Sequence, residues 1–297
     1  MTVLRSYGWR PSLPDMRDVM FSAPAGTLEA LPPRVDLSEP TLPAPFEPSI
    51  DQGSLGSCGP CTAAADLIYA QIRQDRIADV RMPSKLYIYW NTRAIMGTVA
   101  SDSGVDNRSL LKALEKYGWC DETEWPYNVS RFTVRPSEAC YTQAAGRKIG
   151  QYLSVPQTLE QMQGCLAGGD TFIFGFTVYQ SLENNEVDRT GVIPMPRRGE
   201  RAVGGHDVLI VGYDNSTRHF KLKNSWGGWG IAGYGWIPYE YAISPNLSGD
   251  FWTVRSAGWT PPTPPPPPPP PPSPPVPSTN RITLVSDSPI RVVGETQ

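Results

Sequence analysis

The spacing of apolar residues changes character halfway along the chain. In the first half, residues 62–73 (TAAADLIYAQIR) have helix-forming composition and follow directly on a turn at Cys58, which predicts a helix. Residues 107–117 (NRSLLKALEKY) predict a second, with Asn107 placed to cap its start and Gly118 to stop it. In the second half, residues 171–178 (TFIFGFTV), 207–213 (DVLIVGY) and 218–223 (RHFKLK) are short, β-rich and bounded by Gly, Asn or Asp, and predict strands. Helices first and strands second predict an α+β protein with two lobes and a cleft between them.

The ends differ from this middle. Residues 1–32 are polar and Pro-rich without a clear period, and predict an irregular arm rather than a core element. Globular sequence runs from about Pro33 to 260. Residues 261–277 are nearly all Pro. Without N–H donors they predict a polyproline II spacer, roughly 50 Å long at ~3.1 Å per residue. Residues 278–297 have strand-like composition in ITLVSDSPIRVV but too little of it for a core.

Composition narrows the function classes. With 297 residues, 39% of them hydrophobic, the chain has material for an ample core. A net charge of −3 provides no bulk attraction to nucleic acid. No apolar run reaches the ~18 residues of a membrane span. The N-terminal sequence has no apolar h-region, so a Sec signal is not expected, leaving a cytoplasmic location or export by another route. Five cysteines leave at least one thiol unpaired. A zinc site built on Cys58 and Cys61 lacks a second closely spaced ligand pair, so neither metal nor cofactor is expected.

Four residues carry candidate chemistry. Cys58 opens a predicted helix, where the positive end of the macrodipole favours thiolate; taken alone, a buried structural Cys is the commoner case. His206, one of two His, lies in Gly204-Gly205-His206-Asp207 before an apolar strand. A Cys–His pair can exist as thiolate and imidazolium. His219 sits in a polar stretch that reads as surface. Asn224, in Lys223-Asn224-Ser225-Trp226-Gly227, offers the amide oxygen that an imidazole base needs on its other nitrogen, with Trp226 placed to shield that bond. Gln52, six residues before Cys58, has an amide that can turn back beside the sulfur and stabilise an oxyanion.

Gln52…Cys58, Gly204-Gly205-His206 and Asn224-Ser225-Trp226-Gly227 together resemble the papain family of cysteine peptidases. The His and Asn of that family lie roughly 130–150 residues beyond the Cys; here the separations are 206 − 58 = 148 and 224 − 58 = 166. The resemblance covers about residues 33–255 and is strongest to a bacterial branch, that of xylellain. Gln-Gly-x-Leu-Gly-Ser-Cys at the nucleophile turn, PSKLYIYWNTR, YGWIPYEY and an arm resembling YGWRPSLPDMRD carry it. The family places its nucleophile six residues after the Gln, which selects Cys58 over Cys61 and sets Leu55 where a disulfide Cys is usual.

The resemblance implies a papain-like two-lobed fold, helical on one side and β-rich on the other, with the active site in the cleft. It implies a cysteine endopeptidase acting on protein or peptide substrates through a thioacyl enzyme. Gly104, Val105, Gly205, Asp207 and Trp226 are expected to line the substrate path. Asp207, at a position usually Ala, suggests a preference for Lys or Arg at P2, set against a carboxylate turned to solvent or to Arg201. The arm, residues 1–32, is expected to cross the cleft as an inhibitor, set against a structural strap. The Trp after the nucleophile is replaced by Gly59, and of the paired backbone-binding glycines one, Gly104, is present. A peptidoglycan-peptide hydrolase or acyltransferase with the same Cys-His-Asn site is the alternative. A non-catalytic adaptor whose proline tract binds proline-recognition domains is the third reading.

Overall fold

The computed structural model describes residues 5–38, 50–73 and 80–256. The expected spacer at 261–277 and tail at 278–297 lie outside the described residues.

The helix after Cys58, α2 (Cys58–Arg73), is buried on every side from Cys58 to Tyr69. Its small residues Gly59 and Ala63–Ala65 let neighbouring elements pack close. It lies between α3 (Lys85–Met96), α4 (Asn107–Tyr117) and a strand of the other lobe. The expected helix at 107–117 has the predicted bounds, and Gly118 with φ +68° ends it. Its cap is one residue earlier than expected. Asp106 accepts the Ser109 N–H at 2.8 Å, while Asn107 sits inside the first turn with its amide buried. A carboxylate at the cap also suits the positive end of the helix.

One antiparallel seven-stranded sheet forms the other lobe. Its path runs β2 (Gln151–Ser154), β7 (Ser248–Ser256), β3 (Phe172–Tyr179), β4 (Ala202–Asp214), β5 (His219–Lys223) and β6 (Tyr234–Pro238). The short β1 (Arg34–Asp36) pairs with the end of β4. β3 reads as an unbroken apolar run because it lies between β4 and β7 with both faces buried. Two apolar cores result. One gathers Leu110, Leu114 and Trp119 among the helices; the other gathers Phe172, Phe174 and Phe220 on the sheet.

Asp66 on α2 is a polar exception. It is buried, accepts the Thr171 hydroxyl, and its carboxyl is pushed up to about 7, chiefly by burial. Among the described residues no helix is long and apolar enough to cross a membrane.

The N-terminal arm has two parts. Residues 5–12 contact both sides of the cleft, and Arg108 on α4 then holds Leu13 O and pairs with Asp18. From Met20 the chain is knitted into the sheet lobe: Met20 bridges Ser154, Phe21 N–H reaches Ser154 O at 2.8 Å, and Phe21 (2% exposed) and Ala23 are buried in its core. A five-residue helix, α1 (Ala25–Glu29), and β1 complete this strap. The expectation of a wholly irregular arm fails there. Two small apolar anchors and backbone hydrogen bonds hold the segment, and neither leaves a periodic trace in the sequence.

Candidate active site

The nucleophile turn is placed by its far neighbour. Gln52 N–H donates to Ser225 O at 2.9 Å, Gly227 N–H donates to Ile50 O at 3.1 Å, and Asp51 bridges Trp226. The segment Ile50–Gln52 therefore lies beside Asn224–Gly227. The Cys58 sulfur takes a backbone hydrogen bond from Asp207, the residue after His206, but no hydrogen bond joins Cys58 to the His206 ring among the described residues. Gln52 is fully buried. Its Oε1 accepts the Ser225 hydroxyl at 2.7 Å, which orients Nε2 as a donor.

His206 stands on β4 opposite Phe176, completely buried. Its Nε2 lies 2.8 Å from Asn224 Oδ1, which also accepts the Ser225 backbone N–H at 2.7 Å. Because that atom is an acceptor, Nε2 carries the proton and Nδ1 has the basic lone pair. Nδ1 is buried and without a hydrogen-bond partner among the described residues. Trp226 stacks on the imidazole at 4.2 Å between ring centroids and 22° between planes, covering the His–Asn bond as the sequence suggested. His219 is at the start of β5, its Nδ1 on Thr217 O, away from this cluster.

The arm fills the cleft. Val105 N–H donates to Gly8 O at 2.8 Å, and Arg10 N–H donates to Val105 O at 3.0 Å. On the sheet side Trp9 N–H donates to Gly205 O at 2.9 Å. Gln52 Nε2 donates to Ser6 O at 2.9 Å, and the Gly8 N–H points at the Cys58 sulfur. Gly8 is pressed so close that a Cβ there would lie 1.9 Å from Gly56 O. The Trp9 ring occupies a cradle made by missing side chains: a Cβ on Gly175 would lie 1.9 Å from its Cε2, and one on Gly205 2.8 Å from its Cε3. Its Nε1 donates to Asp250 Oδ2 at 3.3 Å. Toward the N-terminus, Tyr7 donates to Glu183 at 2.6 Å, and Arg5 pairs with Asp188 at 2.5 Å while lying over Trp226.

A family model for papain family cysteine proteases matches residues 31–246. The chain belongs to that family. It is similar, at 34% identity over 86% of this chain and 88% of the relative, to an uncharacterized peptidase C1-like protein of Acanthamoeba polyphaga mimivirus. Among solved structures it is similar to xylellain, a cysteine protease from Xylella fastidiosa, at 38% identity and a TM-score of 0.79, over 84% of this chain and 96% of that one. A procathepsin B of Trypanosoma congolense shares the fold at 18% identity and a TM-score of 0.65, over 84% of this chain and 86% of that one. The protein is thus a papain-family cysteine peptidase, a hydrolase, with the two-lobed α+β fold of its relatives.

Within this family frame, several expectations change. Burial opposes the thiolate that the helix N-terminus was expected to favour at Cys58. Burial, then the nearby Asp207 carboxyl, pushes the Cys58 thiol well above its ordinary range. Burial likewise lowers His206 to about 3. Desolvation under the arm outweighs the helix field, so both groups are neutral. Cys61, one helical turn on, packs into the helical core, its thiol pushed up to about 12 by burial. Cys120, Cys140 and Cys165 are also buried free thiols.

Asp207 turns neither to solvent nor to Arg201. It is fully buried, its Oδ1 accepts the Asn107 amide at 2.9 Å, and burial holds its carboxyl well above the carboxylate range. Nor does it pair with His206, the adjacent residue on the strand. Its register partner is Gly175, and Gly205 is two residues before it, so it borders the cradle that Trp9 fills. Sequence reasoning missed Asp250. This residue has φ +64°, and its Oδ2 also receives the Asn107 and Ser12 N–H groups. No local motif marks it; a carboxylate in SGDFWTV becomes notable only once β7 lies beside β3.

Proposed function

We propose that the protein is an endopeptidase with Cys58 as nucleophile, held closed by residues 5–18 of its own arm. The supporting observation is the His206 Nε2–Asn224 Oδ1 bond, which leaves the unpartnered Nδ1 as the base. In the open enzyme the Cys58 thiol proton passes to His206 Nδ1 as sulfur bonds to the substrate carbonyl carbon. The carbonyl oxygen takes up the electron pair, and Gln52 Nε2 donates to it in place of Ser6 O. The imidazolium then protonates the departing amine as the C–N bond breaks. Water, deprotonated by His206, attacks the thioester, and the released thiolate recovers the proton.

The arm satisfies both reacting groups with its backbone: Ser6 O on the oxyanion donor and Gly8 N–H on the sulfur. This supports inhibition by occupation of the site. A further element of the reading is a basic P2 preference. The cradle emptied of Trp9 would present Asp250 and, bordering it, Asp207 to an incoming Lys or Arg.

Hydrolysis of a fluorogenic peptide library tests the assignment. Cys58→Ala should abolish turnover and Cys61→Ala should keep most of it; the reverse pattern would overturn the nucleophile. Gln52→Ala should lower kcat about 10²–10³-fold. Asp207→Ala should reduce the kcat/KM ratio of P2 Arg to P2 Leu substrates, and an unchanged ratio removes it from specificity.

A further inference from the structure

The turn that carries Gln52 and Cys58 makes few bonds of its own. Leu55 N–H reaches Gln52 O at 3.3 Å, and Gln52 Nε2 reaches Leu55 O at 2.9 Å. Two distant residues hold it from outside. On one side the Gly56 N–H lies 3.0 Å from each oxygen of the Asp102 carboxylate. On the other, the Tyr127 hydroxyl donates to Gln52 O at 2.8 Å and meets Ser57 Oγ at 2.5 Å. Since Tyr127 has one proton and uses it on Gln52, Ser57 is the donor in the second bond.

Asp102 does more than touch the turn. It also accepts the Tyr89 hydroxyl, and Tyr89 oxygen in turn accepts the Gly104 N–H at 3.2 Å. Gly104 and Val105 form the strip whose Val105 amide and carbonyl hold the arm backbone at Gly8 and Arg10. A continuous path of hydrogen bonds thus runs from this strip, through Tyr89 and Asp102, to Gly56, two residues before the nucleophile. Asp suits the role because an ionised carboxylate accepts several donors at once without supplying any. Asp102 is itself exposed, so solvent screens its charge, and the geometry of the three bonds matters more than the Coulomb interaction.

We propose that Asp102 is a positioning residue for peptide hydrolysis, tying the Gly104–Val105 strip to the turn that bears Gln52 and Cys58. A substrate backbone seated on the strip is thereby registered against nucleophile and oxyanion donor together. The inference rests on the reading of Cys58 as nucleophile. A slip of about 1 Å between reacting groups costs on the order of 10²-fold in rate. Removing the tie should therefore act on turnover more than on binding. Release of the arm, by contrast, changes how readily substrate enters.

The test uses the full chain and a fluorogenic peptide substrate, with Cys58→Ala as control. Asp102→Ala should lower kcat about 10–100-fold with KM changed less than about threefold. Asp102→Asn keeps an Oδ1 acceptor for Gly56 and Tyr89 and should recover kcat to within about fivefold of wild type. Alkylation of Cys58 by iodoacetamide needs no alignment with an oxyanion donor and should stay within about threefold in both variants. Wild-type kcat in Asp102→Ala would overturn the proposal. So would equal impairment of Asn and Ala, or a loss of kcat matched by equal losses of alkylation and melting temperature, which mark a merely structural role. If Asp102→Ala does not fold, Tyr89→Phe breaks the path while sparing the Gly56–Asp102 bond; it should lower kcat about fivefold, and no change would sink the idea. Residual turnover by Cys58→Ala would instead remove the nucleophile assignment, separately from the tie.

Discussion

Trp9 and Phe21 are both aromatic residues of the N-terminal arm, twelve positions apart, and they are anchored by different means. Phe21 is 2% exposed in the apolar core of the sheet lobe. Trp9 stays partly exposed, in a cradle of two glycines, with its main chain bonded to the sheet side of the cleft. Removing Phe21 would leave a cavity; removing Trp9 would leave a groove. An anchor that excludes water belongs to the fold, whereas one made of backbone hydrogen bonds competes with water and with any other peptide. The boundary between the two roles falls near Met20, not at the composition change near Pro33.

The largest effect expected from this contrast concerns folding. A chain beginning at Leu31 loses Phe21, Ala23 and α1 and should be destabilised by at least about 3–5 kcal/mol, as for a Phe→Ala core truncation. A chain beginning at Val19 should melt within a few degrees of the full length. Equal melting of all three would erase the distinction between the two parts of the arm. Next is Gly8→Ala in the full chain. Its Cβ cannot fit against Gly56 O, so the arm must lift. Losing two or three backbone bonds of about 0.5–1.5 kcal/mol each should raise kcat/KM about 10–100-fold, and unchanged kinetics would exclude inhibition by the arm.

A third expectation concerns protons. In the closed state burial holds His206 at about 3, whereas an opened, hydrated imidazole titrates near ~6.5. Between these values the open state binds the extra proton, so falling pH through this window weakens closure. Asp207 is also raised by burial, and any hydration it gains on opening acts in the opposite sense, favouring the open arm as pH rises above its ordinary value. NMR titration should find His206 unprotonated at pH 5 in the wild type and titrating near ~6.5 in Gly8→Ala. Identical titrations would mean that something other than the arm buries the imidazole. The smallest effect belongs to Arg5→Ala. The Arg5–Asp188 pair is partly exposed, so its loss of up to about 1 kcal/mol should raise kcat/KM no more than about fivefold.

The candidate residues Cys58, His206 and Asn224 were legible because each sits in a short local pattern: a turn before a helix, two glycines before a strand, an amide before a Trp. Strands 172–179 and 219–223 were legible from their boundaries. The α3 helix was not, because KLYIYWNTRAIM is buried on most of its faces and shows no clean alternation with polar residues. Nor was the neutral state of Cys58 and His206, since the arm that desolvates them is some fifty and two hundred residues away in sequence. Asp102, Tyr127 and Asp250 share that difficulty. Each works through partners that only the folded chain brings near.

On the proposed reading of the arm as inhibitor, the strap from Met20 onward sets the kinetic form that inhibition would take. Because the blocking segment is anchored a few residues beyond Asp18, it cannot leave the molecule, and dilution cannot weaken it. Only the open fraction of molecules accepts substrate, so the apparent KM is the intrinsic one divided by that fraction. At saturating peptide the arm is displaced and kcat is unaffected. The enzyme should therefore be quiet at low peptide concentration and rise to full rate where unfolded protein accumulates, a threshold set by one intramolecular equilibrium without cleavage of the chain.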